Sequence, residues 1–179
     1  MRAGERVKVQ KRKYGQTLVE KIPNYKMDVL NQILESDMIT KLVRYDTADA
    51  PYRESLTQDE RDELLYDRVY PFRFVPESIE NQGTFITMGV GRIRMLEEGY
   101  TVYDDYQSGQ VTFYIFTHVD LMRTHGGIRQ DLILAEISKI FDKNRTLGIG
   151  ELKVRSVEEL WIHNNKFGGY TISFSMVDI

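Results

Sequence analysis

The 179-residue sequence has no cysteine. That excludes a disulfide scaffold, a cysteine nucleophile and any thiolate metal site, and it suits assembly in a reducing cytoplasm. Long apolar runs are missing too. None approaches the roughly 20 residues needed to cross a bilayer, so no membrane partner is expected. The start, Met1-Arg2-Ala3-Gly4-Glu5-Arg6, is charged and reaches no apolar h-region, so it does not read as a signal peptide. Catalytic signatures are scarce. No Gly-Lys-Ser/Thr follows the Gly126-Gly127 pair, so there is no Walker loop, and Gly89-Val90-Gly91 sits inside an expected strand and opens no helix. No serine lies in a Gly-x-Ser-x-Gly elbow. No catalytic, cofactor-binding or metal residue is expected on this reading.

What is present fits one domain with an appendage. The apolar fraction of 41% and charged fraction of 28% are ordinary for a globular chain. The net charge of −3 hides an asymmetry. Residues 1–26 hold eight basic and two acidic groups, a net +6, while the rest holds 16 basic and 25 acidic, a net −9. This predicts a basic arm over residues 1–24 beside a single acidic α+β domain over 25–179. The arm contains short β-forming runs at residues 7–9 and 17–19, and Gly15 and Pro23 argue against helix there.

From Asn24, a candidate cap, the spacing of Met27, Leu30, Ile33, Leu34, Met38 and Leu42 predicts a helix over 25–43. Residues 45–56 read as a loop. Thr57-Gln58-Asp59-Glu60 is a capping-box pattern that opens a second helix over 57–67. Strands follow at 70–76, at 84–95 with a glycine bend, and at 111–122, with an extension of the second at 100–103 and a turn over 104–110. The strand at 111–122 is apolar on both sides, as a covered central strand would be. A helix over 128–143 carries Ile133, Leu134, Ile137, Ile140 and Phe141 on one face. A short strand around Leu152 and Val154 and an alternating one from Tyr170 to Met176 complete the chain. The expected fold is a mixed, largely antiparallel sheet with two main amphipathic helices packed on it, plus an extended N-terminal arm.

His118, Asp120 and His125 are the most chemical-looking cluster. Strand alternation puts His118 and Asp120 on one face, and a His-Asp-His metal site with Asp131 from the next helix is one reading. That reading makes the chain a small metal-dependent enzyme such as a nuclease. The other is a hydrogen-bonded strand histidine and a loop histidine, which needs no metal. The loop Arg123-Thr124-His125-Gly126-Gly127 leads into a helix N-terminus, where anions bind, although tight turning explains its glycines. Tyr100, Tyr103 and Tyr106 with Asp104 and Asp105 form an aromatic, acidic tip suited to a protein interface.

Residues 111–142, VTFYIFTHVDLMRTHGGIRQDLILAEISKIFD, combine a hydrophobic strand, an Arg-containing loop and a helix that begins near a Gly and an Arg-x-Asp. This pattern resembles the neck and tail-terminator proteins of tailed bacteriophages, and the order helix, strands, helix, strands extends it over 25–179. The resemblance implies a non-enzymatic structural subunit of the virion neck. Such a subunit forms a homo-oligomeric ring, typically a hexamer, at the head-tail junction, as tail terminator or as head-completion connector. Implied partners are neighbouring neck, portal-adaptor or tail-tube proteins and the packaged DNA in the channel, after assembly in the bacterial host cytoplasm. The basic arm and the 45–67 stretch are longer than that pattern requires. The arm is expected to lie outside the core and to reach a neighbouring subunit or ring.

Overall fold

The computed structural model describes residues 18–75, 82–95, 107–147 and 150–178. The strand pieces expected at 7–9, the extension at 100–103 and the tyrosine tip lie outside these residues. The architecture is α+β: a five-stranded, mostly antiparallel sheet with helices against one face.

The first expected helix is two helices. α1 (Leu18–Glu35) starts earlier than expected, and α2 (Asp37–Arg44) follows a break at Ser36. Leu18 and Val19 are therefore helical rather than strand-like, and Asn24 is inside the helix rather than its cap. Pro23 forfeits one backbone bond and costs about 3 kcal/mol. Burial of Tyr25, Val29, Leu30, Ile33 and Leu34 outweighs it, at roughly 1.5–3 kcal/mol for each large side chain. Met27 and Met38, expected on the core face, are exposed, and Val29 takes the inner position. At the break, the Ser36 hydroxyl accepts from the Ile39 N–H. Arg61 then donates to the Leu34 and Glu35 carbonyls, both at 2.9 Å, and so satisfies the end of α1.

The loop after α2 contains a 3-10 turn, Ala50–Tyr52. The capping box forms as read: Thr57 N–H donates to Glu60 at 2.8 Å, and Glu60 N–H donates to the Thr57 hydroxyl. α3 (Gln58–Glu63) is shorter than expected. β1 (Val69–Tyr70) is only a two-residue strand, because Pro71 and the turn beyond it end the pairing.

β2 (Thr84–Met95) and β3 (Gln107–His118) pair antiparallel. β3 begins within the expected turn and ends at His118. Val119–Leu121 is a 3-10 turn rather than more strand. A small hairpin, β4 (Arg123–Thr124) and β5 (Gly127–Ile128), precedes α4 (Arg129–Phe141). β6 (Lys153–Ile162) is ten residues long where a short strand was expected, and β7 (Phe167–Asp178) runs between β6 and β3. The sheet order is β1-β2-β3-β7-β6, with only β1 and β2 parallel. At Gly169 a side chain would run into the Ile115 carbonyl of β3, so only glycine permits that strand spacing.

Ile86, Met88, Val111, Phe113, Ile115, Ile172, Phe174 and Met176 alternate onto the helix-covered face and are buried there. Phe141 of α4 stacks on Phe113 at 5.1 Å between ring centres. Beneath the start of α4 lies a fully buried arginine. Arg129 donates to the carbonyls of Leu121, Leu42, Tyr45 and Thr47. Leu42 and Tyr45 mark the C-terminal end of α2, where unpaired carbonyls and the helix dipole favour a cation. Burial pulls its guanidinium below the ordinary arginine value, and Asp46 opposes that pull. Arg129 is the arginine of the Arg-x-Asp motif, and it serves packing.

Candidate functional site

Among the described residues, the other face of the sheet carries no helix. At one end Phe85, Phe116 and Phe167 form a second small core, covered by Tyr70 and Phe74 from the β1 region. Tyr70 and Phe74 stack at 4.2 Å. At the other end hydroxyls replace rings, because Thr112 of β3 and Thr171 and Ser173 of β7 fall on this face. Thr112 and Ser173 are cross-strand partners whose hydroxyls lie 3.1 Å apart. Gln110 donates to Thr112 at 3.2 Å.

These side chains floor a groove of about 450 Å³ whose walls hold Arg73, Arg92, Arg155, Tyr114, Leu160 and Glu158. Arg73 lies over the Tyr114 ring, 4.9 Å from its centre. Arg92 and Arg155 owe their places to irregularities in the two outer strands. The β2–β3 register shifts between Gly91 and Arg94, and Arg92 takes a left-handed φ of 53°. The β6–β7 register shifts between Val154 and Ser156, which makes Arg155 the extra residue. A bulge re-aims a side chain relative to strict alternation, and here two bulges on opposite strands bring arginines to one groove. The sequence places a bend at Gly89 and Gly91. The bend is there, but Arg92 carries the unusual backbone.

The margins of the sheet matter as much as its face. Among the described residues β6 is an edge strand over its whole length, and Val154, Val157 and Trp161 are exposed along it. On the opposite margin β1 covers β2 only at Ile86 and Thr87. Among the described residues, β2 from 88 to 95 has no strand on its outer side.

The residues expected from sequence sort differently. His118 and Asp120 do meet, with 3.4 Å between Nδ1 and Oδ2. His118 is buried, edge-on to Phe167, and its Nδ1 accepts from the Asp120 N–H. They meet through the 3-10 turn after β3 and not through strand alternation. His125 stands apart in the hairpin, where its N–H donates to the Ala48 carbonyl. Asp131 accepts from the Tyr170 hydroxyl, and burial together with that carboxylate pushes the Tyr170 phenol above its ordinary value. Among the described residues, no three His, Asp or Glu side chains group as metal ligands. The loop before α4 uses its polar groups internally: Thr124 donates to the Gly127 carbonyl at 2.7 Å. A larger trough of about 710 Å³ between α2 and α4 is lined by Lys41, Asp37, Lys139 and Glu136, which pair with one another.

A family model described as YomW matches residues 36–176. The chain belongs to the YomW family. Its name is that of a gene of an SPBc2-type Bacillus phage, and the chain is accordingly phage-associated. No curated protein matches it. The YomW match begins at Ser36, where α1 ends, so it spans α2 to α4, the sheet and the groove, and leaves α1 and the basic arm outside.

Proposed function

We propose that this YomW-family chain is a non-enzymatic structural subunit of a tailed-phage virion neck. In this reading copies stand side by side in a ring at the head-tail junction, in a tail-terminator or head-completion role. The observation that carries it is the pair of open sheet margins. Unpaired N–H and C=O groups on an exposed edge strand are a template for another chain, and soluble proteins usually blunt them. Here one margin is ten residues of β6 with exposed valines and a tryptophan. The strand directions alternate from β2 to β6, so β6 of one copy meets β2 of the next antiparallel if both copies keep the same orientation. Two different patches in head-to-tail contact give a closed ring when the rotation closes. The resemblance to neck proteins and the phage-associated family point the same way. Neighbouring neck, portal-adaptor or tail-tube proteins are the proposed further partners.

The basic arm completes the proposal. Residues 1–17 carry six basic groups and one acidic group. They span up to roughly 55 Å when extended, enough to cross onto an adjacent acidic body. Because α1 begins at Leu18, the informative truncation removes residues 1–17 and spares the helix. Native mass spectrometry of the full chain with electron microscopy of phage particles tests the reading. The expected result is a cyclic oligomer that fits the neck density, with the truncated chain folded but absent from particles. A strictly monomeric chain with no neck location overturns it.

A further inference from the structure

We propose that the groove on the uncovered sheet face binds the phosphate backbone of DNA. The inference goes beyond the ring reading and does not depend on it, since the groove lies within one copy. It starts from a local reversal of charge. Residues 27–179 carry a net −9, yet among the described residues the groove brings together Arg73, Arg92 and Arg155 against one carboxylate, that of Glu158. The three come from separate segments: the stretch after β1, the β2 bulge and the β6 bulge. None of the three forms an ion pair with a described residue, whereas Arg44, Arg53, Arg61, Arg68 and Arg145 all do. A folded acidic protein has carboxylates to spare for its arginines. Three with no ionic partner among the described residues, gathered around one concavity, are placed to meet an outside anion.

The chemistry of the floor selects which anion. Phosphate and sugar contacts in protein–DNA complexes come from arginine together with Ser, Thr, Gln and Tyr side chains. Thr112, Ser173, Gln110 and Tyr114 supply those types, on a rigid sheet rather than on loops. Gln110 Oε1 is buried without a partner among the described residues, and its amide holds Thr112 by the other end. Among the described residues the groove holds no stacked pair of exposed rings of the kind that grips unpaired bases, so contact along a backbone without base readout fits it better. An acidic protein segment is the competing occupant. Its carboxylates would accept from the same arginines and hydroxyls, so the two occupants are separated by direct competition.

The basic arm also attracts DNA, so the test compares full-length variants. One carries Arg73→Gln, Arg92→Gln and Arg155→Gln. A second carries Lys at the same three positions. A third keeps the groove and replaces Lys8, Lys11, Arg12 and Lys13 with Gln. Each is titrated with a fluorescein-labelled 20-base-pair duplex across a range of salt concentrations. Each lost phosphate contact flattens the slope of log affinity against log salt by about 0.9. The expected result is a slope flatter by about 2–3 and an affinity at least about tenfold weaker for the Gln groove variant, near-parent behaviour for the Lys variant, and residual groove-dependent binding in the arm variant. Unchanged slope and affinity in the Gln groove variant overturn the proposal, because the arm alone then holds the DNA. Tighter, groove-dependent binding of a poly-glutamate peptide than of the duplex at equal charge overturns it in favour of an acidic protein partner.

Discussion

On the helical side of the sheet, Arg129 and Arg61 direct their donors into backbone carbonyls. Arg129 serves the end of α2 and its following loop, and Arg61 serves the end of α1. On the uncovered side Arg73, Arg92 and Arg155 stand exposed around a polar groove with no ionic partner among the described residues. The same side chain thus does two jobs, and burial separates them. A guanidinium taken out of water must use its donors, and the helix ends supply unpaired carbonyls for them. A guanidinium left in water need not, and is free for a ligand.

The contrast gives its largest effect at Arg129. Replacing it with Met keeps much of the volume but leaves four carbonyls without their donor. That should cost about 3–5 kcal/mol and lower the melting temperature by about 10 °C, read by calorimetry. A loss below about 1 kcal/mol would erase the distinction. The three groove arginines should behave oppositely. Their joint replacement by Gln should leave unfolding by denaturant within about 1 kcal/mol of the parent, since exposed positions away from caps and cores move stability little.

The smallest effect concerns Asp37, at the start of α2. Its carboxyl sits below the ordinary range, chiefly through its bond to Lys41, 2.7 Å away, with Ser55 and Arg61 adding to it. Its side chain is 45% exposed, so solvent screens the pair. A lowered carboxyl stabilises the fold above its unfolded value, and that contribution is lost as pH falls through the folded value. Asp37→Asn should therefore cost about 0.5 kcal/mol at pH 7 and nothing near pH 2. Equal costs at both pH values would assign the effect to packing.

Legibility in the sequence followed the same divide. α4 and the core strands were readable because burial imposes a period: Ile133, Ile137 and Phe141 on the helix, and Tyr170 to Met176 on the strand. The capping box was readable because its bonds are local. α1 was misjudged at its start, since Pro23 argues against helix locally while the buried stripe from Tyr25 onward decides for it. β6 was mostly missed because an edge strand is not forced to alternate, and the bulge at Arg155 breaks what alternation there is. Part of the candidate site was visible, as Thr171 and Ser173 alternating with apolar residues. The arginines were not, because each enters the groove through a bulge or a separate segment, and no sequence spacing records that. The histidines drew attention by residue type alone. His118 became part of an aromatic packing cluster, and His125 part of a hairpin.

The central claim is that copies join through the margins of the sheet, and the absence of cysteine allows a direct test. Val157 on β6 and Val90 on β2 lie on the open margins, and each can be changed to Cys in a chain that has no other thiol. The purified Val157→Cys/Val90→Cys chain is treated with a short bis-maleimide and separated on a denaturing gel. The account predicts a ladder of linked copies that stops at one closed size, while each single variant yields no species beyond a dimer. A double variant that stays monomeric on the gel, although both thiols react with a monofunctional maleimide, would contradict it.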